Sequence, residues 1–299
     1  MFWKMTRQLP KILRGIGREH RLLLQVVREN DIDAVISDNR FGMWSSRVHS
    51  VYITHQLNIQ APGGWQFAEP LLHLMHRHFW KNYRECWIPD FPGSPNLSGD
   101  LGHPRKALPG CHYTGPLSRF TQLSEIHIDA AGRQPDLLVL LSGPEPQRSI
   151  FEKLVMTQLT GLPDINIVIV RGLPGSTERL GIPSGVTLHS HLPDGELASL
   201  IRSARGIICR PGYSTLMDLW ALGRGAVLVP TPGQTEQEYL AKHHSRGGAF
   251  VSMSQADFNL KQALQQVIGL SSPSFPGDPQ HYLETRISSL LEQIRRDHR

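Results

Sequence analysis

Apolar residues along this chain fall into two alternating patterns: short continuous runs, and stripes recurring every three or four residues. The runs, with the polar residues that end some of them, are Ile32–Asn39, Val51–Gln56, Asp136–Leu141, Ile165–Val170, Val186–Leu192, Gly206–Cys209, Ala226–Val229 and Gly247–Val251. They have strand length and sit between glycine, proline or polar breaks, as buried strands do. The stripes predict helices between them. Ile150, Phe151, Leu154 and Val155 mark one over 147–159, residues 194–204 form another, and Leu216, Leu219 and Trp220 mark a third over 213–222. Leu283, Ile287, Leu290, Leu291 and Ile294 mark a closing helix over 281–295. Strands that alternate with helices predict parallel sheets, an α/β class. Residues 92–110, rich in proline and glycine, read as a loop.

The segment 206–242 is the most informative. Its first strand stops at Arg210-Pro211-Gly212, a helix follows from Tyr213, and a second strand ends at Pro230 before the polar loop Thr231–Glu236. Both turns fall at the carboxyl ends of their strands, where open α/β sheets bind ligands. At 210–215, Gly212 lets backbone approach a ligand and the first helical N–H groups are unpaired, so an anion fits there. Ser214 and Thr215 add hydroxyls. Asp218 lies four residues beyond Ser214 on the same face, about 5.4 Å further along the axis. A diphosphate at the turn would put an attached ribose beside that carboxylate. On spacing alone the plainer alternative, that Ser214 caps the helix and Asp218 is a solvated early-helix acid, is the better fit.

Arg210-Pro211-Gly212-Tyr213-Ser214-Thr215-Leu216-Met217-Asp218, followed by Pro230-Thr231-Pro232-Gly233-Gln234-Thr235-Glu236-Gln237-Glu238, resembles the nucleotide-sugar site of GT-B glycosyltransferases, family 28 in particular. The resemblance implies two Rossmann-like domains: a partial acceptor-side domain over 1–119, and a donor-binding domain over 120–299 that includes the closing helix. The opening strand and glycine-rich loop of the family have no counterpart, so the first domain is expected to be incomplete. The implied ribose ligand is Asp218. Gly212, Ser214 and Thr215 face the diphosphate, and Gln234, Gln237 and Glu238 face the sugar. The family has a second glutamine where this chain has Glu238, which leaves the sugar open. Arg119, in Tyr113-Thr114-Gly115-Pro116-Leu117-Ser118-Arg119, matches the crossing segment whose arginine reaches the nucleotide. Ser142 and Gly143 match the phosphate-side turn, although Pro144 and Pro146 cannot donate N–H bonds. His191 and Leu192 match a loop that reads the uracil through main chain. Arg210 or Arg119 would stabilise the leaving diphosphate. The implied reaction is inverting transfer from a UDP-sugar co-substrate, with no cofactor and no metal.

In the first domain the strands end in Asp38 and near His55, weak candidates for the base that deprotonates an acceptor hydroxyl. Asp31-Ile32-Asp33 superficially matches a metal-binding motif but precedes its strand, at the wrong end. His73 and His76 could share a helix face, with no third ligand nearby; a helix with partly exposed histidines fits better.

Composition narrows the partners. The formal charge of +5 over 299 residues is too mild to indicate nucleic acid. Cys86, Cys111 and Cys209 are scattered, which fits a reducing cytoplasm. No apolar run approaches a membrane span. Residues 1–28 nevertheless carry Lys4, Arg7, Lys11, Arg14, Arg18, Arg21 and Arg28 against the single acid Glu19, with Leu9, Ile12, Leu13, Ile16, Leu23 and Val27 at helical spacing. Such a helix suits peripheral contact with the inner face of a membrane, or packing on its own domain. The acceptor is expected to be lipid-linked or a glycan. Two rival classes remain: a UDP-N-acetylglucosamine 2-epimerase, and a non-catalytic nucleotide-sugar-binding subunit or fragment.

Overall fold

The computed structural model describes residues 2–61, 67, 69–104, 106, 108–122, 134–160, 162, 165–177 and 181–297, without the side chains of residues 2–9. Two compact units emerge: Met1–Pro116 with Gly277–Arg299, and Leu117–Pro276.

The first unit opens with α1 (Phe2–Glu29), then β1 (Ala34–Asp38), β2 (His49–Ile53), α2 (Glu69–Trp80), β3 (Glu85–Ile88), a 3₁₀ turn at Gly99–Leu101 and β4 (Cys111–Tyr113). Its four strands pair in parallel in the order β1-β2-β3-β4. Tyr52, Cys86 and Ile88 are buried with Leu57 and Tyr83 in one core cluster. Part of the helix at the start packs on this unit. Leu23 is buried, His20 Nδ1 lies 3.2 Å from Gly42 O, and the His20 ring stacks on Trp44. Gly42 is needed there, because a Cβ would collide with the carbonyl of Ile16. Ile12, Leu13, Leu22 and Val26 remain exposed. Of the basic residues named for this helix, Lys4 and Arg7 have side chains outside the described residues.

The second unit contains β5 (Leu137–Leu140), α3 (Gln147–Thr157), β6 (Ile167–Val170), β7 (Val186–His189), α4 (Asp194–Ser203), β8 (Gly206–Cys209), α5 (Tyr213–Ala221), β9 (Ala226–Leu228), α6 (Thr235–His244), β10 (Phe250–Ser252) and α7 (Leu260–Val267). All six strands are parallel, in the order β10-β9-β8-β5-β6-β7. Counted from β5, that is the doubly wound 3-2-1-4-5-6 arrangement, whose switch point falls between β5 and β8. The strands read as unbroken apolar runs because helices bury both faces. Leu137, Val139, Ile208 and Val227 pack with Phe151 and Val155 of α3 and Leu260 and Ala263 of α7. Gly206 admits α7 closely, since a Cβ there would strike Val267.

Two features differ from expectation. The closing helix, α8 (Pro279–Asp297), lies with the first unit instead of the second: Leu290, with Leu283 and Ile294, packs against Val51 and Trp87. Its apolar stripe is evident in sequence, but the sheet that accepts a stripe is not. The second difference is two further strands, β3 and β4, which flank the 92–110 loop and are too short to announce themselves by pattern.

Candidate functional site

A cavity of about 280 Å³ opens at the switch point of the second sheet. Leu140, Leu141 and Ser142 contribute from the end of β5, Val170, Gly172 and Pro174 from the end of β6, and Thr215, Asp218 and Leu219 from α5, with Arg119 and His191 also lining it. Of the residues singled out in the sequence, the fold therefore brings five together here: Arg119, Ser142, His191, Thr215 and Asp218.

Local structure explains the placement. The sharp turn after β5 requires Gly143, whose φ is 101°. Gly172, at φ 65°, passes close to the carbonyl of Leu141, where a Cβ would crowd it. At the start of α5 the N-cap is Gly212 itself, in extended conformation and with no side-chain cap. Ser214 is exposed within the first turn, so it is not the N-cap residue. A Cβ on Gly212 would meet only Thr215 Oγ1, at 3.7 Å, so the space before the helix is open. Uncapped N–H groups facing that space suit an anion.

Asp218 is 9% exposed and its carboxylate is oriented by the chain entering this unit. Ser118 Oγ donates to Oδ1 at 2.7 Å, and Arg119 Nε donates to Oδ2 at 3.2 Å. Arg119 also donates to Asp194 Oδ1 at 2.8 Å, and its side chain remains 47% exposed. Burial pushes the Asp218 pKa above the ordinary aspartate value, while the Ser118 hydrogen bond and the Arg119 charge oppose that rise. A carboxylate with two of its lone pairs taken retains two for other donors. Ser118 was not singled out in the sequence, although it adjoins Arg119.

Other expected contacts are placed differently. Arg210 is the main correction. It is 1% exposed, donates to Val229 O at 2.9 Å and Gln147 O at 3.2 Å, and lies 4.3 Å over the Phe151 ring. Its guanidinium ties β8, β9 and α3 together and is absent from the cavity lining, so it is not the cation for a diphosphate. Burial lowers its pKa to about 10. Gln237 is buried with Oε1 accepting from Thr231 N at 2.8 Å, and Glu238 Oε1 accepts from Gly233 N at 2.8 Å. Both shape the 231–234 loop and keep one polar atom in reserve: Nε2 of Gln237 and the second oxygen of Glu238. Gln234 is the N-cap of α6. Leu192 is buried, and Gly143 lies outside the cavity lining. Glu145 accepts from Ser149 N at 3.2 Å and from Arg148 Nε at 2.6 Å, anchoring the start of α3.

In the first unit Asp38 ends β1 and is exposed, while His55 lies two residues beyond β2 and is half-buried. Asp31 and Asp33 precede β1 at the opposite end. His73 Nε2 lies 3.0 Å from Ile59 O. His76 is buried on α2, which pushes its pKa down to about 4. Among the described residues no group of three or more His, Cys, Asp or Glu could hold a metal ion.

Comparison with known proteins places this geometry in context. Residues 194–274 match the family described as glycosyltransferase family 28 C-terminal domain. A relative from Sinorhizobium fredii is named UDP-N-acetylglucosamine--N-acetylmuramyl-(pentapeptide) pyrophosphoryl-undecaprenol N-acetylglucosamine transferase. It is 33% identical over 94 residues, 30% of this chain and 24% of the relative. The matched part thus spans about a quarter of that relative's length. Among solved structures, the glycotransferase of kitacinnamycin aligns with TM-score 0.63 at 14% identity, covering 96% of this chain and 82% of its own. The calicheamicin glycosyltransferase CalG4 aligns with TM-score 0.57 at 14% identity, covering 98% and 81%. These likenesses give the fold: GT-B, with two Rossmann-like sheets.

Proposed function

We propose that this chain, which carries a glycosyltransferase family 28 C-terminal domain over residues 194–274, transfers a sugar from a UDP-sugar to an acceptor hydroxyl. The observation that carries the reading is the cavity at the carboxyl end of the second sheet, where the buried Asp218 and Thr215 of α5, a helix with no side-chain N-cap, line the space beside Ser142. In this reading Asp218 accepts from the ribose hydroxyls, and the uracil lies beside His191 and Leu192. The diphosphate meets the first N–H groups of α5 with Ser142, Gly143, Gly212, Ser214 and Thr215. As the glycosidic bond breaks, negative charge grows on the departing diphosphate. Helix-terminal N–H groups and Arg119 are fixed where that charge develops, which lowers the barrier. Gln237 and Glu238, with Gln234, would present their remaining polar atoms to the sugar. The transfer is proposed to invert the anomeric centre and to need no cofactor.

The Sinorhizobium relative's name gives an N-acetylglucosamine donor and an undecaprenol-linked acceptor, which supports a lipid-linked acceptor here. A membrane contact through α1 suits such an acceptor. Ile12, Leu13, Leu22 and Val26 are exposed on a helix that also carries Lys11, Arg14, Arg18, Arg21 and Arg28. No helix among the described residues is long and apolar enough to cross a membrane, so the contact would be peripheral, at the cytoplasmic face.

The test is a UDP-release screen over UDP-glucose, UDP-galactose, UDP-N-acetylglucosamine and UDP-glucuronate. Polyprenyl-diphosphate-linked glycans and alkyl glycosides serve as acceptors. Acceptor-dependent release with formation of a glycoside is expected. Conversion of UDP-N-acetylglucosamine to its manno isomer without acceptor would instead identify an epimerase.

A further inference from the structure

The second unit has a larger cavity at the amino end of its sheet, the end opposite the switch-point cavity. It measures about 660 Å³ and lies among the starts of β5 and β8, the residues before β9, and α7 with the loop that follows it. Two glycines shape it. A Cβ on Gly206 would strike Val267 of α7, and one on Gly225 would collide with Ala249 O and come within 3.0 Å of Ser271 O. The chain leaves α7 through Gly269, at φ 89°, and Ser271 N then donates to Gly248 O at 3.2 Å. Backbone contacts therefore hold the walls in place.

Most of the lining is apolar. Leu162, Ile165, Leu264, Val267 and Leu270 contribute, together with Ile268, which is 80% exposed. Three cations line the same space, Arg205, Arg224 and Lys261, against the single acid Asp136. The register that pairs Ile208 with Val227 carries back to set Arg205 opposite Arg224 on adjacent strands. Arg205 Nη1 donates to Asp136 Oδ1 at 3.2 Å, and its side chain is 73% exposed. Arg224 is half-buried. Its Nη1 donates to Arg202 O at 3.0 Å and its Nη2 to Ala204 O, both neutral carbonyls at the end of α4. Burial lowers its pKa, as expected of a cation that lacks an acidic partner. Among the described residues neither Arg224 nor Lys261 meets a carboxylate, so the apolar cavity keeps positive charge that nothing balances.

We propose that this cavity binds a fatty acid, with the carboxylate held by Arg205 and Arg224 and the unbranched chain between α7 and the sheet. The volume is in the range of ligand pockets, which are mostly apolar with a few polar groups that fix orientation. It suits one chain and not the two of a membrane phospholipid. A carboxylate matches the planar fork of a guanidinium, and Arg224 keeps N–H groups beyond those given to the carbonyls. Asp136 repels a dianionic head, such as a phosphate monoester, more than it repels a carboxylate. Lys261, on the α7 side, adds further attraction for an anion. The site lies at the far end of β5 and β8 from the nucleotide cavity and stands whether or not the chain transfers sugar.

Calorimetry of the whole chain at neutral pH tests the site with dodecanoate, kept below its micelle-forming concentration. Saturable binding of one molecule per chain is expected. Dodecanol keeps the chain and lacks the charge, and should bind at least about tenfold more weakly. Each CH₂ removed from the acid should weaken binding by up to roughly fourfold. Arg205→Gln, at an exposed side chain, should bring dodecanoate down to the level of dodecanol, and Arg205→Lys should recover most of the loss. In methyl NMR, dodecanoate should shift Ile165, Leu264 and Ile268. Absence of saturable binding, equal affinity for dodecanol and dodecanoate, or an Arg205→Gln variant that matches the parent would overturn the proposal. So would shifts confined to Ile12 and Leu13 of α1, which would mark adsorption on the exposed helix face. Tighter binding of monododecyl phosphate than of dodecanoate would overturn the carboxylate head.

Discussion

Replacing Asp218 with alanine removes the one carboxylate lining the switch-point cavity among the described residues. A ribose offers two hydroxyls, and a hydrogen bond to a charged group contributes about 1.5–3 kcal/mol. Asp218 already shares its charge with Ser118 and Arg119, which favours the low end for each bond. Together the two bonds then amount to about 3 kcal/mol, a loss of roughly 150-fold in UDP affinity. The fold should hold. Arg119 is half exposed and keeps Asp194, so neither it nor Ser118 is left as an unsolvated donor. Calorimetric titration with UDP at neutral pH measures the change, and denaturant unfolding checks that the variant is intact. Asp218→Asn keeps the shape but loses the charge and should fall between the two. A well-folded alanine variant with a Kd within twofold of the parent would refute the ribose role.

Uridine, which has no titrating phosphate, should bind more weakly as pH falls. Burial raises the Asp218 pKa, and only the carboxylate accepts from both hydroxyls, so the loss should begin above the usual aspartate range and reverse on returning to neutral pH; a flat titration would contradict it. Arg210→Met leaves the carbonyls of Val229 and Gln147 without their donor and should lower stability by about 2–4 kcal/mol in denaturant unfolding. Its UDP affinity should stay within twofold, whereas a phosphate-binding arginine would reduce it much more. Gly206→Ala drives a methyl into Val267 and should destabilise by about 1–3 kcal/mol by the same measurement, with no effect on binding at the far end of β8. Ile12→Asp with Leu13→Asp should abolish sedimentation with anionic vesicles, and parent binding should weaken with added salt; equal sedimentation of the two would remove α1 as the contact.

Local chemistry was legible where one segment carries it. The turn at 210–215, Asp218 four residues later and the strands of the second unit follow from apolar runs, glycine breaks and helical spacing. All recur in the structure at nearly the same boundaries. Arg210 shows the limit. An arginine beside a glycine turn reads as an anion ligand, yet its direction is set by Phe151, the Gln147 carbonyl at the start of α3 and the Val229 carbonyl just past β9, which no local pattern displays. The same holds for α8, whose stripe was clear and whose partner sheet was not. Asp90 lies two residues before, and His103 within, the segment 92–110 that reads as plain loop. Only the folded loop brings the carboxylate to the ring and to the N–H groups of Leu97 and Ser98.

A crystal structure of the chain soaked with UDP tests the central claim most directly. The account predicts both ribose hydroxyls within hydrogen-bond distance of the Asp218 carboxylate and the diphosphate against the first N–H groups of α5. UDP bound elsewhere, or a saturating soak that leaves this cavity without nucleotide, would contradict it.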